Sequence, residues 1–154
     1  MSDGAALPTF FALEPAAAEA AVVARGGKAF HARIIRREAA ERGVLDYARM
    51  TALPAALRAS LAAELPLVSA REVARRESRD GTIKLLLAFA DGRTVETVFI
   101  PSRTAGKGAT LCVSTQVGCP VRCPFCASGK DGLVRNLEAH EIVEQYLFGR
   151  ALGE

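Results

Sequence analysis

The sequence predicts an α+β fold: a small helical unit, then a three-stranded antiparallel meander, then a strand, a loop and a helix. Two patterns predict the first two parts, because apolar residues recur at helical spacing up to residue 66 and alternate with period two after it. The last part is marked by four cysteines, which fall within 15 residues although the first 111 residues contain none. A chain of 154 residues, half of them hydrophobic, is long enough for one compact domain or two small ones.

The helical unit is predicted for residues 28–66, after an alanine-rich segment, residues 1–27. Its first helix has apolar residues four positions apart on one face and arginines on the other, and Gly43 is the predicted cap. Its second helix has leucines at every fourth position, and Pro66 is predicted to end it. The predicted helices, including a short one in the alanine-rich segment, are residues 14–25, 28–42 and 53–65.

The meander is predicted for residues 67–101. Apolar residues alternate along residues 83–89, and an Asp-Gly pair at 91–92 leads into a second alternating run, which is the pattern of a β-hairpin. Another Asp-Gly pair, at 80–81, places the first strand at about residues 68–78. Three antiparallel strands are therefore expected.

Residues 102–154 begin with a polar linker and continue as a strand, a cysteine loop and a helix. Residues 109–117 are predicted to form one short buried strand. The helix is predicted to begin at Asn136, whose side chain is a suitable N-cap. The apolar residues that this helix carries are Ile142, Val143, Tyr146 and Leu147.

Composition and charge exclude several classes of protein. No apolar run approaches the roughly 20 residues that a transmembrane helix needs, so an integral membrane protein is not expected. The start of the chain lacks a basic region followed by an apolar core, so it does not resemble a secretory signal, and a cytoplasmic location is predicted. The net charge of +3 permits an RNA partner without requiring one.

Three of the cysteines, Cys119, Cys123 and Cys126, have the spacing C-x3-C-x2-C. On a loop, three thiolates at this spacing can converge on one iron-sulfur cluster and leave one iron open to a small chelating molecule. A disulfide framework is not expected in a reducing compartment. A structural zinc site with Cys112 as the fourth ligand is the alternative, although such sites usually pair two short knuckles. Cys112 taken alone is interpreted as a buried small hydrophobic residue.

The cysteine spacing, with Phe125 directly before the last cysteine, resembles the radical S-adenosylmethionine (SAM) superfamily. Residues 110–145 resemble the RNA adenine-C2 methyltransferases of the RlmN/Cfr type, which act on 23S rRNA and, for some members, on tRNA. Residues 50–61 and 80–101 are similar to the N-terminal accessory domain of that family and its junction with the barrel. The resemblance covers residues 28–150 and leaves the alanine-rich start unmatched.

The resemblance implies a domain organisation and a truncation. Residues 28–101 would form the α+β accessory domain, and residues 102–154 the first strand, loop and helix of a radical SAM α/β partial barrel. The second catalytic cysteine of the family and its downstream SAM-binding segments have no counterpart in this sequence. The chain is therefore interpreted as the N-terminal portion of such an enzyme, which is not expected to complete the methylation alone.

The resemblance also implies which residues carry the chemistry. Cys119, Cys123 and Cys126 would ligate a [4Fe-4S] cluster whose open iron chelates SAM. Reduction by an electron donor such as flavodoxin would then cleave SAM to a 5′-deoxyadenosyl radical. Cys112 matches the cysteine that resolves the methylene-bridged protein-RNA adduct, through proton abstraction and a transient disulfide. Glu96 matches the proposed proton acceptor of the family.

The residues around Glu96 give an independent reason to assign it that role. Glu96 lies in an otherwise apolar strand, where desolvation is expected to raise its pKa toward values useful to a general base. The alternative is an ordinary strand residue that faces solvent.

The predicted function is formation of C2-methyladenosine in 23S rRNA, and for some members in tRNA, by a SAM-dependent enzyme. Two other classes stay open at this point: a non-catalytic RNA-binding remnant and a zinc-stabilised module. The arginine-rich helix face, with Arg33, Arg36 and Arg37, is either a solvated surface or a set of phosphate contacts.

Overall fold

The computed structural model describes residues 8–104 and 106–153. The chain divides into two compact units, one running to Ser69 and resuming at Tyr146, the other running from Ala70 to Gln145. The boundaries of these units differ from the domain boundaries predicted from the sequence. The predicted boundaries, at residues 27 and 101, stay a prediction. In the described part of the chain, every helix is too short or too polar to cross a membrane.

The first unit is helical, and its helices lie where the apolar spacing predicted them. They are α1, Pro15–Ala24, α2, Ala29–Arg42, and α3, Ala55–Glu64. Gly43 ends α2 as predicted, with φ at 58°, a left-handed conformation that glycine adopts without steric cost. A β-carbon at Gly43 would also lie 2.7 Å from the backbone of Ala151, so only glycine fits here.

The core of this unit is formed mainly by the apolar faces of the helices. Tyr47 brings a hydroxyl into this core: it donates to the carbonyl oxygen of Leu65 at 3.1 Å, and burial raises the pKa of Tyr47. All four leucines of the predicted repeat are buried, which confirms the periodicity of α3. The largest fully buried apolar side chains of the unit are Phe10, Val22, Ile35, Met50, Leu61, Leu65 and Leu147.

One of the three arginines on the predicted basic face is held within the fold. The Arg36 guanidinium lies 5.1 Å from the ring centroid of Phe10 and 5.7 Å from that of Phe11, within the range of cation-π interactions. Arg36 also donates to the carbonyl oxygen of Leu13 at 3.3 Å. Arg33 and Arg37 are exposed, so only these two remain candidates for phosphate contacts.

The second unit contains a four-stranded antiparallel sheet in the order β1-β2-β3-β4. The strands are β1, Arg71–Glu77, β2, Ile83–Ala88, β3, Thr94–Ile100, and β4, Thr110–Cys112. Both predicted Asp-Gly turns are confirmed, because Gly81 and Gly92 have φ of 79° and 77°. In each turn the aspartate accepts a hydrogen bond from the backbone N–H two residues on.

The strand that contains Cys112 corrects the predicted fold. The predicted meander of three strands is the larger part of a four-stranded sheet, and residues 109–117 do not form one buried strand. Instead, β4 is largely exposed and pairs with β3, and a separate strand β5, Gln116–Gly118, pairs with β6, Leu133–Asn136. The break lies at Ser114, whose backbone N–H and C=O bind the side chain of Gln145 and not a neighbouring strand.

The last helix, α4, Ala139–Leu152, begins later than predicted. Asn136 is not its N-cap, because this residue ends β6 and its Oδ1 accepts a hydrogen bond from Gln116 Nε2 at 2.8 Å. The side chain of Glu141 caps the N-terminus of the helix instead, since its Oε2 accepts a hydrogen bond from the N–H of Glu138 at 2.8 Å. All strand pairs in residues 8–104 and 106–153 are antiparallel, so the partial barrel stays a prediction.

The buried face of α4 in the second unit is polar, which the apolar pattern did not predict. Glu144 and Gln145 are fully buried, whereas Val143 is 42% exposed. Glu144 is buried with a partner, because its Oε2 accepts from the backbone N–H of Ala70 at 2.8 Å. This face of the helix therefore binds backbone and side-chain polar groups of the second unit.

Candidate functional site

One face of the four-stranded sheet carries both residues predicted to be catalytic. Cys112 lies directly opposite Val98 of β3, and Val98 lies opposite Lys84 of β2. Residues two apart on a strand share a face, so Glu96 shares the face of Val98 and therefore that of Cys112. Glu96 and Cys112 are thus diagonal neighbours on adjacent strands, a relation in which residues lie about 7–8 Å apart.

Glu96 is more exposed than the apolar pattern predicted. Its side chain is 56% exposed, and its Oε1 lies 2.8 Å from Lys84 Nζ in an ion pair on the sheet surface. The neighbouring residues Val95 and Thr97 are buried because they point to the opposite face. The expectation that Glu96 is desolvated is therefore wrong, and the solvent-facing alternative describes its position.

Cys112 is also exposed. All four cysteines are free thiols, and Cys112 ends β4 with its side chain accessible. The interpretation of Cys112 as a buried hydrophobic residue is therefore wrong. The catalytic roles predicted for Cys112 and Glu96 stay predictions, but the fold does present both groups to solvent on one surface.

The loop that holds the other three cysteines is closed at its base by two glycines. Gly118 and Gly132 have φ of 77° and 73°, and a β-carbon at Gly118 would lie only 2.0 Å from the carbonyl oxygen of Gly132. The same oxygen accepts a hydrogen bond from the N–H of Cys119 at 3.1 Å. Arg122 has a left-handed φ of 54°, and its guanidinium lies against Gly132. The two ends of the loop are thereby held together.

Within this loop two of the three cysteines line an open depression. Cys119 and Cys123 are partly buried and Cys126 is exposed. The N–H of Cys126 donates to the carbonyl oxygen of Cys123 at 3.0 Å, which forms a tight turn. A cavity of about 340 Å³ is lined by Cys123 and Cys126, and also by Phe125, which is 90% exposed, and by Lys130.

The donor set of this loop fits an iron-sulfur cluster. Three free thiols lie on one loop and two of them line the same cavity, which matches the ligand chemistry of such a cluster. In the described chain, no three His, Cys, Asp or Glu side chains are arranged so that they could hold a metal ion. This finding concerns the binding of a single metal ion, and the three-cysteine cluster stays a prediction.

Gln145 of α4 is a part of this region that the sequence analysis missed. Its Oε1 accepts from the N–H of Ser114 and from the Thr97 hydroxyl, both at 2.8 Å. Its Nε2 donates to the carbonyl oxygen of Ser114 at 2.9 Å and to that of Glu141 at 3.2 Å. No local pattern marks Gln145, because Thr97 and Ser114 lie 48 and 31 residues away in sequence.

Arg135 of β6 is the centre of a second missed network. Its Nε lies 2.7 Å from Asp91 Oδ2, and its two terminal nitrogens bind the carboxylate of Glu141 at 2.7 and 2.8 Å. The bond to Arg135 holds the pKa of Asp91 below its usual value. Burial alone would raise the pKa of Glu141, but its bonds from Arg135 and from the Glu138 N–H lower that pKa on balance. The hydrogen bonds to Glu141 and Asp91 raise the pKa of Arg135.

Comparison with known proteins extends this picture. No protein-family model matches the chain. The chain is 45% identical over 130 residues to the dual-specificity RNA methyltransferase RlmN of Rhodospirillum rubrum, and this match covers 84% of the chain and 30% of the relative. It is 43% identical over 168 aligned positions to RlmN of Sorangium cellulosum, covering 88% of the chain and 43% of the relative.

A solved structure also resembles this chain, and it belongs to a methyltransferase. The crystal structure of a radical SAM methyltransferase from Sphaerobacter thermophilus matches with a TM-score of 0.78 and 40% identity, over 92% of this chain and 41% of that one. Fold and cysteine loop therefore relate the chain to the radical SAM methyltransferases. Within that class it is a homologue of the RlmN dual-specificity RNA methyltransferases. The chain spans between 29% and 43% of the length of these curated relatives.

Proposed function

We propose that this chain is the part of a radical SAM RNA methyltransferase that binds the [4Fe-4S] cluster and carries two catalytic groups. The proposed reaction forms C2-methyladenosine in 23S rRNA and tRNA, in the cytoplasm, with SAM as the methyl donor and a flavodoxin-like electron donor. The observation that carries the proposal is the common exposed face of Glu96 and Cys112, in a unit that also contains the cysteine loop.

In this proposal Cys119, Cys123 and Cys126 hold the cluster. When bound, the cluster and SAM supply the one-electron chemistry that makes an unreactive aromatic carbon open to methylation. Three protein ligands leave one iron open, and SAM would chelate that iron.

Glu96 and Cys112 would act on the RNA adduct itself. The exposed carboxylate of Glu96 can accept a proton from a base that approaches this face of the sheet. The free thiol of Cys112 can remove a proton as a thiolate. As a thiolate it could also attack the sulfur of the cysteine that is bridged to the RNA, so that a disulfide forms while the sulfur–carbon bond breaks and its electron pair passes to the methylated product. Lys84 lies beside Glu96 and keeps that carboxylate paired until a substrate displaces it.

The proposal is tested by anaerobic reconstitution of the chain with iron and sulfide. Iron, sulfide and zinc are measured, and the absorption spectrum is recorded before and after SAM is added. We expect about four irons per chain and a spectrum that SAM perturbs. Cys119→Ala should lose the cluster, whereas the matched variant Cys112→Ala should keep it, since Cys112 is not a proposed ligand.

Two other outcomes would contradict the proposal. One zinc per chain without iron, lost in Cys112→Ala as well as in Cys119→Ala, would indicate a four-cysteine zinc site. A wild-type chain that binds no metal, yet binds RNA with the same salt dependence as Cys119→Ala, would indicate a non-catalytic RNA-binding protein.

A further inference from the structure

One fully buried polar side chain of the second unit, Gln145, has no part in the proposed chemistry. Gln145 is 0% exposed, and its carboxamide makes four hydrogen bonds between 2.8 and 3.2 Å. A carboxamide can accept two such bonds and donate two, so its capacity is filled. Burying an amide costs free energy unless it is bonded in this way. The surroundings of Gln145 therefore match the donors and acceptors of a carboxamide as well as its volume.

The partners of Gln145 lie next to both predicted catalytic residues. Ser114 follows Cys112 by two positions, and Thr97 directly follows Glu96. The ladder between β3 and β4 ends at Cys112, and the Gln145 carboxamide binds the N–H and the C=O of Ser114 as a neighbouring strand would. The Ser114 hydroxyl in turn donates to the carbonyl oxygen of Glu96 at 2.8 Å.

We propose that Gln145 is a positioning residue for the methyl-transfer reaction: by binding Ser114 and Thr97, it holds Cys112 and Glu96 in register on one face of the sheet. The inference rests on the proposed function of that face. Its physical reason is that proton transfer needs the acceptor within hydrogen-bond reach of the proton, and small displacements lower the rate steeply. β4 has only three residues, so its own ladder fixes Cys112 weakly.

The test separates hydrogen bonding from packing by comparing two substitutions. Gln145→Met keeps the length of the side chain and loses all four hydrogen bonds. Gln145→Glu keeps an oxygen that can accept from Ser114 N–H and from the Thr97 hydroxyl, but it places a charge in a buried position. If Gln145 only fills space, Gln145→Met should preserve the position of Ser114 better than Gln145→Glu does. If Gln145 positions Ser114 through its hydrogen bonds, Gln145→Glu should preserve that position better.

The measurement is NMR spectroscopy on the full chain. For each variant, the exchange rate of the Ser114 amide is divided by that of β2 amides in the same sample, which removes the effect of overall stability. Cross-strand proton contacts between Val98 and Cys112 report the register directly. Gln116→Met is the matched control, because it removes the single bond from Gln116 to Asn136 and leaves Ser114 untouched.

We expect the normalised exchange of Ser114 to rise about tenfold in Gln145→Met, as for loss of one buried hydrogen bond, and the Val98 to Cys112 contacts to weaken. Gln145→Glu should retain most of the protection, and Gln116→Met should match the wild type. Wild-type exchange and contacts in Gln145→Met would overturn the proposal. A wild-type chain that assembles no cluster would overturn the proposed function instead, and these two results are read from different measurements.

Discussion

Arg135 joins two carboxylates from distant parts of the sequence. The side chain of its partner Glu141 is only 7% exposed, so removing the guanidinium leaves a nearly buried charge without its main counter-ion. We expect Arg135→Met to lower the free energy of unfolding by about 3 kcal/mol at neutral pH, measured by urea denaturation. The control is Arg103→Met, which breaks an ion pair to Asp80 in which both side chains are exposed, and it should lower the free energy of unfolding much less than Arg135→Met does. Equal losses in the two variants would contradict this account.

The same network predicts an acid-sensitive stability. Asp91 and Glu141 have lowered pKa values in the folded chain, so the unfolded chain binds protons more readily than the folded chain does. Their contribution is complete above about pH 5 and is lost as the pH falls through the folded values. Urea denaturation from about pH 6 to pH 3 should therefore show a steeper loss in the wild type than in Arg135→Met. Parallel curves would show that other groups dominate the acid response.

At the scale of elements, the base of the cysteine loop depends on one glycine. Gly118 and Gly92 have the same φ of 77°, but a β-carbon at Gly118 would collide with Gly132, whereas one at Gly92 would meet nothing within 4 Å. We expect Gly92→Ala to cost about 1 kcal/mol, from backbone strain alone. Gly118→Ala should cost more and should also lower the iron content after reconstitution. Similar thermal unfolding and iron content in both variants would show that the loop base tolerates the collision.

Some elements could be predicted from the sequence because their causes are local. The leucine spacing of α3 and the Asp-Gly turns involve residues a few positions apart, and both were confirmed. The buried face of α4 could not be predicted in this way. Gln145 is buried because Ser114 and Thr97 supply its bonds, and these contacts exist only after the chain folds. The prediction that Glu96 is desolvated was wrong for a related reason, because a strand with apolar residues can bury one of its faces and expose the other.

For the molecule as a whole, the helical core and the cysteine loop involve different residues. The core of the first unit contains none of the four cysteines. We expect the triple variant with serine at Cys119, Cys123 and Cys126 to keep the wild-type helical signal and to shift the thermal midpoint by no more than about 2 °C. Leu61→Ala, a truncation of a fully buried side chain, should instead cost about 3 kcal/mol. Loss of the helical circular dichroism signal in the triple variant would contradict this separation.

The first strand of the sheet has a consequence for behaviour at high concentration. All seven residues of β1 are exposed, and in the described part of the chain this strand pairs only with β2. A long open edge of this kind can recruit a strand from another molecule and start aggregation. Here the edge carries three arginines, and its register shifts between Glu72 and Ala74, where the ladder is interrupted. The edge also carries two glutamates, and charged side chains and an irregular ladder both disfavour edge-to-edge pairing, so β1 is a poor starting point for polymerisation through the sheet.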